Sequence, residues 1–263
     1  MRVFFHERWP ALALGALLLG YYLYPLAAML AATSPAEILA ALGDPQTLSA
    51  LWVSLATATV TTLLALLLGV PLAWWLARAP LPGRRLLEAL ILLPLVLPPT
   101  VGGVALLQVF GASSSLGRAG ASLGLPLTRS YLAIVLAQLF VASPLLIITA
   151  QAAFSQVDRR LEQASRTLGV GPWQTFFRVT LPLARAGILA GALLTWARAL
   201  GEFGATLMMA YNPRTMPVQT WVDYLSRGLS SALPLAVIIL AIALIAVLSL
   251  RALAGKEARQ HER

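Results

Sequence analysis

Polar residues are sparse along this chain, and they come in clusters. Between the clusters lie six long apolar runs, at 11–32, 48–77, 86–110, 131–154, 183–210 and 233–253. About 20 mostly apolar residues suffice to cross a bilayer as a helix. The pattern therefore predicts an all-α polytopic membrane protein with six transmembrane helices. The first run follows a basic lead, "RVFFHERWP", and contains the small residues of "AAMLAA", as a secretory signal would. Its apolar run exceeds the ~7–15 residues of a signal core. It reads as an uncleaved first helix.

Composition agrees. The 263 residues are 59% hydrophobic and 11% charged, whereas a soluble domain is about one quarter charged. No Ser- or Gly-rich linker separates two cores, so residues 1–263 read as a single membrane domain. The net charge of +9 does not call for nucleic acid, because the basic residues alternate with the runs. With the N-terminus placed inside, the inner segments hold Arg2, Arg8, Arg78, Arg84, Arg85, Arg159, Arg160, Arg166, Arg178, Arg185, Arg251, Lys256, Arg259 and Arg263. The outer segments hold only Arg118, Arg129, Arg214 and Arg227, and Arg198 falls within a run. Such a bias places both termini in the cytoplasm of a multi-pass protein of the cytoplasmic membrane. The chain has no cysteine, which excludes disulfides, thiol catalysis and Cys-ligated metal. His6 and His261 lie in terminal segments, and neither a catalytic set nor a metal site is expected.

The fourth and fifth runs are joined by a polar segment, about 156–182. Asp158 can cap a helix start, with Glu162 in the first turn, where negative charge is favoured. Leu161, Ala164, Ser165 and Leu168 share one face at helical spacing. Gly169 is a natural stop, since glycine takes the left-handed cap without penalty. Pro172 suits the first turn of a second short helix, and Leu181–Pro182–Leu183 predicts a bend before the fifth run. By periodicity alone this is equally an amphipathic loop at the membrane surface.

The residue order resembles the cytoplasmic "EAA" loop of ABC importer permeases. Gln163, Ala164 and Ser165 stand at its start, Gly169 follows six positions after Gln163, and Val179-Thr180-Leu181-Pro182 closes the pattern. The acid that opens the family motif is displaced by one residue, to Glu162. The resemblance implies a coupling helix between helices 4 and 5 that docks on an ATP-hydrolysing subunit, with Glu162, Gln163, Ala164, Arg166, Leu168 and Gly169 at the contact. "ILLPLVLPPTVGGVALLQVF" and "ARALGEFGATLMMA" further resemble permeases of molybdate, tungstate and sulfate importers, and "GEFGATLMMAYNPRTMPVQTWVDYLSRGLSSALPLA" is most similar to the molybdate/tungstate branch. That resemblance implies a homodimer, a pair of ABC ATPase subunits that bind ATP and Mg, and an extracytoplasmic oxyanion-binding protein. A sulfate/thiosulfate permease is the nearest alternative, and an ATP-independent anion carrier a more distant one.

Two groups within the runs are candidates for the path. Pro94, Pro98 and Pro99, with Thr100, Gly102 and Gly103, would kink the third helix, because proline removes backbone hydrogen bonds and glycine permits close approach. Such a break persists in lipid only where protein or water covers it. This gives either a gate or a packing kink. In the fifth run Arg198 and Glu202 lie four apart on one helix face, beside Gly201 and Gly204. They are either a self-neutralising pair or a polar patch next to the path, since charge at this depth is costly. Gln138, Ser143 and Thr149 are expected to bond between helices. No G-x-x-x-x-G-K-[ST] phosphate loop is present, so this chain is not expected to hydrolyse ATP.

Overall fold

The computed structural model describes residues 9–80 and 82–261, with side chains for 12–80 and 82–249. Arg2, Arg8, His6 and Arg263 lie outside the described residues, as do the side chains of Arg251, Lys256, Arg259 and His261. The described residues are helices and their connections, without a strand.

In chain order the helices are α1 (Trp9–Ala31), α2 (Pro35–Gly43), α3 (Pro45–Arg78), α4 (Arg84–Val96), α5 (Pro99–Phe110), α6 (Ser115–Ser122), α7 (Tyr131–Gln156), α8 (Arg159–Thr167), α9 (Pro172–Thr175), α10 (Leu181–Leu200), α11 (Gly204–Met209), α12 (Met216–Arg227) and α13 (Leu229–His261). A π-helical turn, Phe176–Thr180, joins α9 to α10.

Five described stretches are long and apolar enough to span a membrane: Leu12–Ala31, Pro45–Arg78, Tyr131–Gln156, Pro172–Leu200 and Leu229–Ser249. The third expected span is different. It breaks into α4 and α5, bent by 110°, and only the pair taken together raises the number to six. The expectation of one kinked helix over 86–110 is thus corrected. Pro98 and Pro99 cannot donate backbone hydrogen bonds, and Leu97, which precedes Pro98, is extended at φ −65°, ψ 139°, as residues before proline prefer.

The fifth expected span is also redrawn. α10 stops at Leu200, and Gly201–Phe203 separates it from α11. At its other end the expected bend at Pro182 is absent. Thr175, Thr180 and Leu181 all have right-handed helical backbone angles. The proline is accommodated because the π turn before it widens the hydrogen-bond pattern.

The centre of the bundle is α3, α7 and α10. Small residues set its spacing. A Cβ on Gly187 would lie 2.5 Å from Ala153 Cβ, and one on Gly191 would lie 2.0 Å from Thr149 Oγ1 and 3.2 Å from Leu146 Cα. Close backbone approach of this kind drives helix association in lipid, where burying apolar groups gives little gain. One polar pin crosses all three helices. Gln138 of α7 accepts from Thr61 Oγ1 of α3 at 2.9 Å and donates to the Ala199 carbonyl of α10 at 3.0 Å. Thr149 instead bonds carbonyls of its own helix, the usual outlet for a hydroxyl in a helix. α1 lies at the periphery, and no residue of its spanning window is buried.

The sequence reading passed over α2, α6 and α12. α2 carried a signal: Ser34 and Glu37 form a reciprocal capping box, the S-x-x-E pattern.

Candidate functional site

The break in the third span rests on α11. A Cβ on Gly204 would lie 2.9 Å from Pro99 Cβ and 3.0 Å from Thr100 N, and one on Gly103 would lie 2.7 Å from Met208 Cβ and 3.0 Å from Ala205 Cα. Of the expected path residues, Pro99, Thr100, Gly103 and Gly204 therefore meet in one seam, where two backbones touch. Pro98 is the residue before α5. Gly102 faces elsewhere, toward the Phe140 ring of α7 at 3.0 Å from its would-be Cβ.

The two arms of the break are held unequally. α5 buries Gly102, Gly103 and Leu106, whereas no residue of α4 is buried. The polar tie of α4 to the body is at its first turns. Glu88 Oε1 accepts from Arg84 Nε at 2.7 Å and from Gln151 Nε2 of α7 at 2.5 Å.

Arg198 and Glu202 do pair. Arg198 Nη1 lies 2.6 Å from Glu202 Oε2. The other oxygen, Oε1, accepts from the Ala205 N–H at 2.9 Å, so the carboxylate caps the first turn of α11. The contact with Arg198 is short but not aligned as a hydrogen bond, since Oε2 has no such partner. The pair is asymmetric: Glu202 is buried at 1% exposure, while the Arg198 side chain is 31% exposed. Glu202 thus joins the end of α10 to α11, two residues before Gly204 of the seam.

The polar segment after α7 forms as expected at its ends. Asp158 accepts from the Arg160 N–H at 2.9 Å. Gly169 has φ +81°, its N–H bonds the Arg166 carbonyl, and the Val170 N–H bonds the Ser165 carbonyl. Together these bonds make a Schellman cap.

Glu162 is turned toward the end of α3. Arg78 Nε and Nη2 donate to its Oε1 at 3.1 and 2.9 Å, and Thr180 Oγ1 does so at 2.8 Å. The reason is the basic end of α3: Arg78 needs a counter-charge where α8 crosses it. Ser165, bonded to Thr175 at 3.0 Å, also faces the body. Successive helical residues turn by about 100°, which divides the remaining side chains of α8. Arg159, Gln163 and Arg166 join Glu162 on one flank, along a groove of about 330 Å³ shared with Trp74, Trp75, Arg78 and Ala79. Leu161, Ala164 and Leu168 fall on the opposite flank and are exposed, Leu168 to 84%.

A polar chain that the sequence reading missed runs along α12, with Gln219 and Asp223 buried at its centre. Arg214 Nη1 donates to Gln219 Oε1 at 3.2 Å, Gln219 Nε2 to Asp223 Oδ1 at 3.1 Å, and Arg227 Nη2 to the same oxygen at 2.5 Å. The bond that Arg227 donates to Asp223 raises the Arg227 pKa above its ordinary value. The i, i+4 spacing of Gln219, Asp223 and Arg227 was the available signal.

Comparison with known proteins follows the same lines. The model of the family "Binding-protein-dependent transport system inner membrane component" matches residues 66–258. The chain is 50% identical to a protein of Haloferax volcanii named "Probable molybdenum ABC transporter permease protein", over 94% of this chain and 91% of that one. It is 40% identical to the molybdate/tungstate transport system permease protein WtpB of Thermococcus kodakarensis, over 93% and 95%. It is 39% identical to the molybdenum transport system permease protein ModB of Escherichia coli K12, over 79% and 93%. The fold is similar to a chain in the crystal structure of a bacterial alginate ABC transporter in complex with alginate pentasaccharide-bound periplasmic protein. There the TM-score is 0.72, with 14% identity and 93% of each chain covered, a likeness of fold alone.

Proposed function

This chain belongs to the binding-protein-dependent transport system inner membrane component family, and from that premise we propose that it is the membrane-spanning permease subunit of an ATP-driven importer of molybdate and tungstate. What supports the substrate is identity of 40–50% over more than nine-tenths of the chain to permeases named for molybdenum or for molybdate/tungstate. The reading has a second copy of this chain, two ATPase subunits that supply ATP hydrolysis, and an extracytoplasmic oxyanion-binding protein. Both termini face the cytoplasm.

In this mechanism α8 is the coupling helix. Its apolar flank, Ala164 and Leu168, with Gly169 at its tip, sits against the ATPase, and Gln163 and Arg166 border the contact. ATP binding closes the ATPase pair and moves α8. Through Glu162, that motion reaches Arg78 at the end of α3 and Thr180 at the start of the fifth span. The broken third span, with Pro98, Pro99, Thr100, Gly102 and Gly103, and the α10–α11 junction, with Arg198, Glu202 and Gly204, border the anion path. A single family of helices thus carries motion from the docking surface to the gate.

The direct test is uptake by the full complex in liposomes. Molybdate and tungstate are expected to drive uptake and ATP turnover at lower concentration than sulfate. Equal or better uptake of sulfate through the same binding protein overturns the assignment.

Coupling is tested separately. Gly169→Val places a β-branched residue at φ +81°, a backbone strain of roughly 1–2 kcal/mol. Open space surrounds the position, with no atom within 4 Å of a would-be Cβ. The variant is therefore expected to insert and fold, yet to lose ATPase binding or ATP-driven uptake. Cysteines at Ala164 and Leu168 are expected to crosslink to the ATPase. Normal uptake by the valine variant, together with free labelling of those cysteines in the assembled complex, counts against docking at α8.

A further inference from the structure

The groove on the other flank of α8 has chemistry that docking on a soluble subunit does not require. Three guanidinium groups line it, from Arg78, Arg159 and Arg166, against the one carboxylate of Glu162. Arg78 is taken up by Glu162, and Arg159 Nη2 touches the Ala77 carbonyl at 3.3 Å. Arg166 has no side-chain partner among the described residues. The groove thus keeps a surplus of positive charge, with one arginine free.

Its position is as telling as its charge. The exposed residues Val60, Leu63, Leu67, Pro71 and Trp75 form a stripe along α3, and Trp75 ends that stripe in the groove wall. The stripe is apolar over about 22 Å of helix, so it can lie against lipid tails. Around its end stand further exposed aromatics, Trp173 and Phe177, ring centroids 6.5 Å apart. Tryptophan collects at the level of lipid headgroups. A tail path therefore runs directly into a cationic groove at headgroup depth.

We propose that this groove binds the phosphate of an anionic phospholipid, with Arg166 and Arg159 as its cations and the acyl chains lying along the exposed stripe of α3. A zwitterionic headgroup fits less well, because its own cation meets the same surplus of positive charge. The proposal depends only on the chain spanning a bilayer. It is independent of the substrate, and because Arg166 also borders the proposed ATPase contact, it is tested on the chain without its ATPase.

The test uses the full-length chain in nanodiscs of phosphatidylcholine with a minor fraction of phosphatidylglycerol. After extraction into detergent, the lipid retained per chain is measured by mass spectrometry. Wild type is expected to retain phosphatidylglycerol in preference to phosphatidylcholine. Arg166→Gln breaks no internal hydrogen bond and should reduce that retention about five-fold, the factor one basic side chain contributes at an anionic surface. Arg159→Gln together with Arg166→Gln should reduce it further. Arg160→Gln, an equal loss of charge on the same helix outside the groove, should leave retention unchanged. Excess inorganic phosphate should not displace the lipid. The proposal is overturned if Arg160→Gln costs as much as Arg166→Gln, or if inorganic phosphate competes as well as the lipid. It is equally overturned if wild type retains phosphatidylglycerol no better than phosphatidylcholine.

Discussion

Arg198→Ala is expected to be among the most damaging single changes in the chain, and more damaging than Glu202→Gln. The difference follows from burial. Glu202 is 1% exposed and Arg198 31%. Removing the arginine leaves a carboxylate sealed within the bundle with one oxygen unpaired, and breaking a buried pair from one side costs roughly 3–5 kcal/mol. Glu202→Gln keeps an oxygen for the Ala205 N–H and removes the buried charge. The remaining arginine reaches the surface, where it can turn toward water or a polar neighbour. Arg198→Ala combined with Glu202→Ala should recover part of the loss, since neither charge is then stranded. Thermal unfolding of the detergent-solubilised variants, read beside uptake, checks the order. If the double change is as damaging as Arg198→Ala and Glu202→Ala added together, and unfolding is unaffected while uptake is lost, the pair acts in the path and not as a brace.

The second large effect is expected at the seam between α5 and α11. Gly204→Ala would put a methyl 2.9 Å from Pro99 Cβ and 3.0 Å from Thr100 N, and Gly103→Ala would put one 2.7 Å from Met208 Cβ and 3.0 Å from Ala205 Cα. Backbone and proline atoms cannot rotate aside as a flexible side chain can. Each change should cost roughly 1–3 kcal/mol as overpacking. Both push the same two helices apart, so the double variant should cost less than the two singles added. Gly201→Ala is the control: the nearest atom to its would-be Cβ is the Ala197 carbonyl oxygen at 3.7 Å, ordinary contact. Loss of uptake in both seam variants, with the control active, is the expected pattern. A fully active Gly204→Ala would show that the seam separates freely.

What could be read from the sequence, and what could not, divides along physical lines. Long apolar runs and local caps are short-range facts, so the spanning stretches, the Asp158 cap and the left-handed Gly169 followed from residue type and spacing. The proline pair was legible as a disruption of the third run. Its size was not, because a turn of 110° depends on what the far arm packs against, here Gly204 from a segment a hundred residues away. Glu162 illustrates the same limit. Its place in the first turn of α8 was visible, but its orientation is set by Arg78, 84 positions earlier. The α12 chain was overlooked because attention to long apolar runs passes over a polar i, i+4 series in a connecting segment.

The unequal seating of the two arms at the break has a mechanical meaning. α4 is 13 residues long, so it extends about 20 Å from the Leu97–Pro98 joint. A swivel of about 10° there carries the Arg84 end through roughly 3–4 Å, enough to open or shut a passage for a small anion, at a rise of about 1.5 Å per residue. Such a swing uncovers no buried side chain of α4 and exchanges one cross-helix hydrogen bond, that of Gln151 to Glu88. If the third span is the gate, the proline pair is placed as the fulcrum of a lightly moored arm, α4, whose partner α5, of nearly equal length, is clamped by glycine contacts.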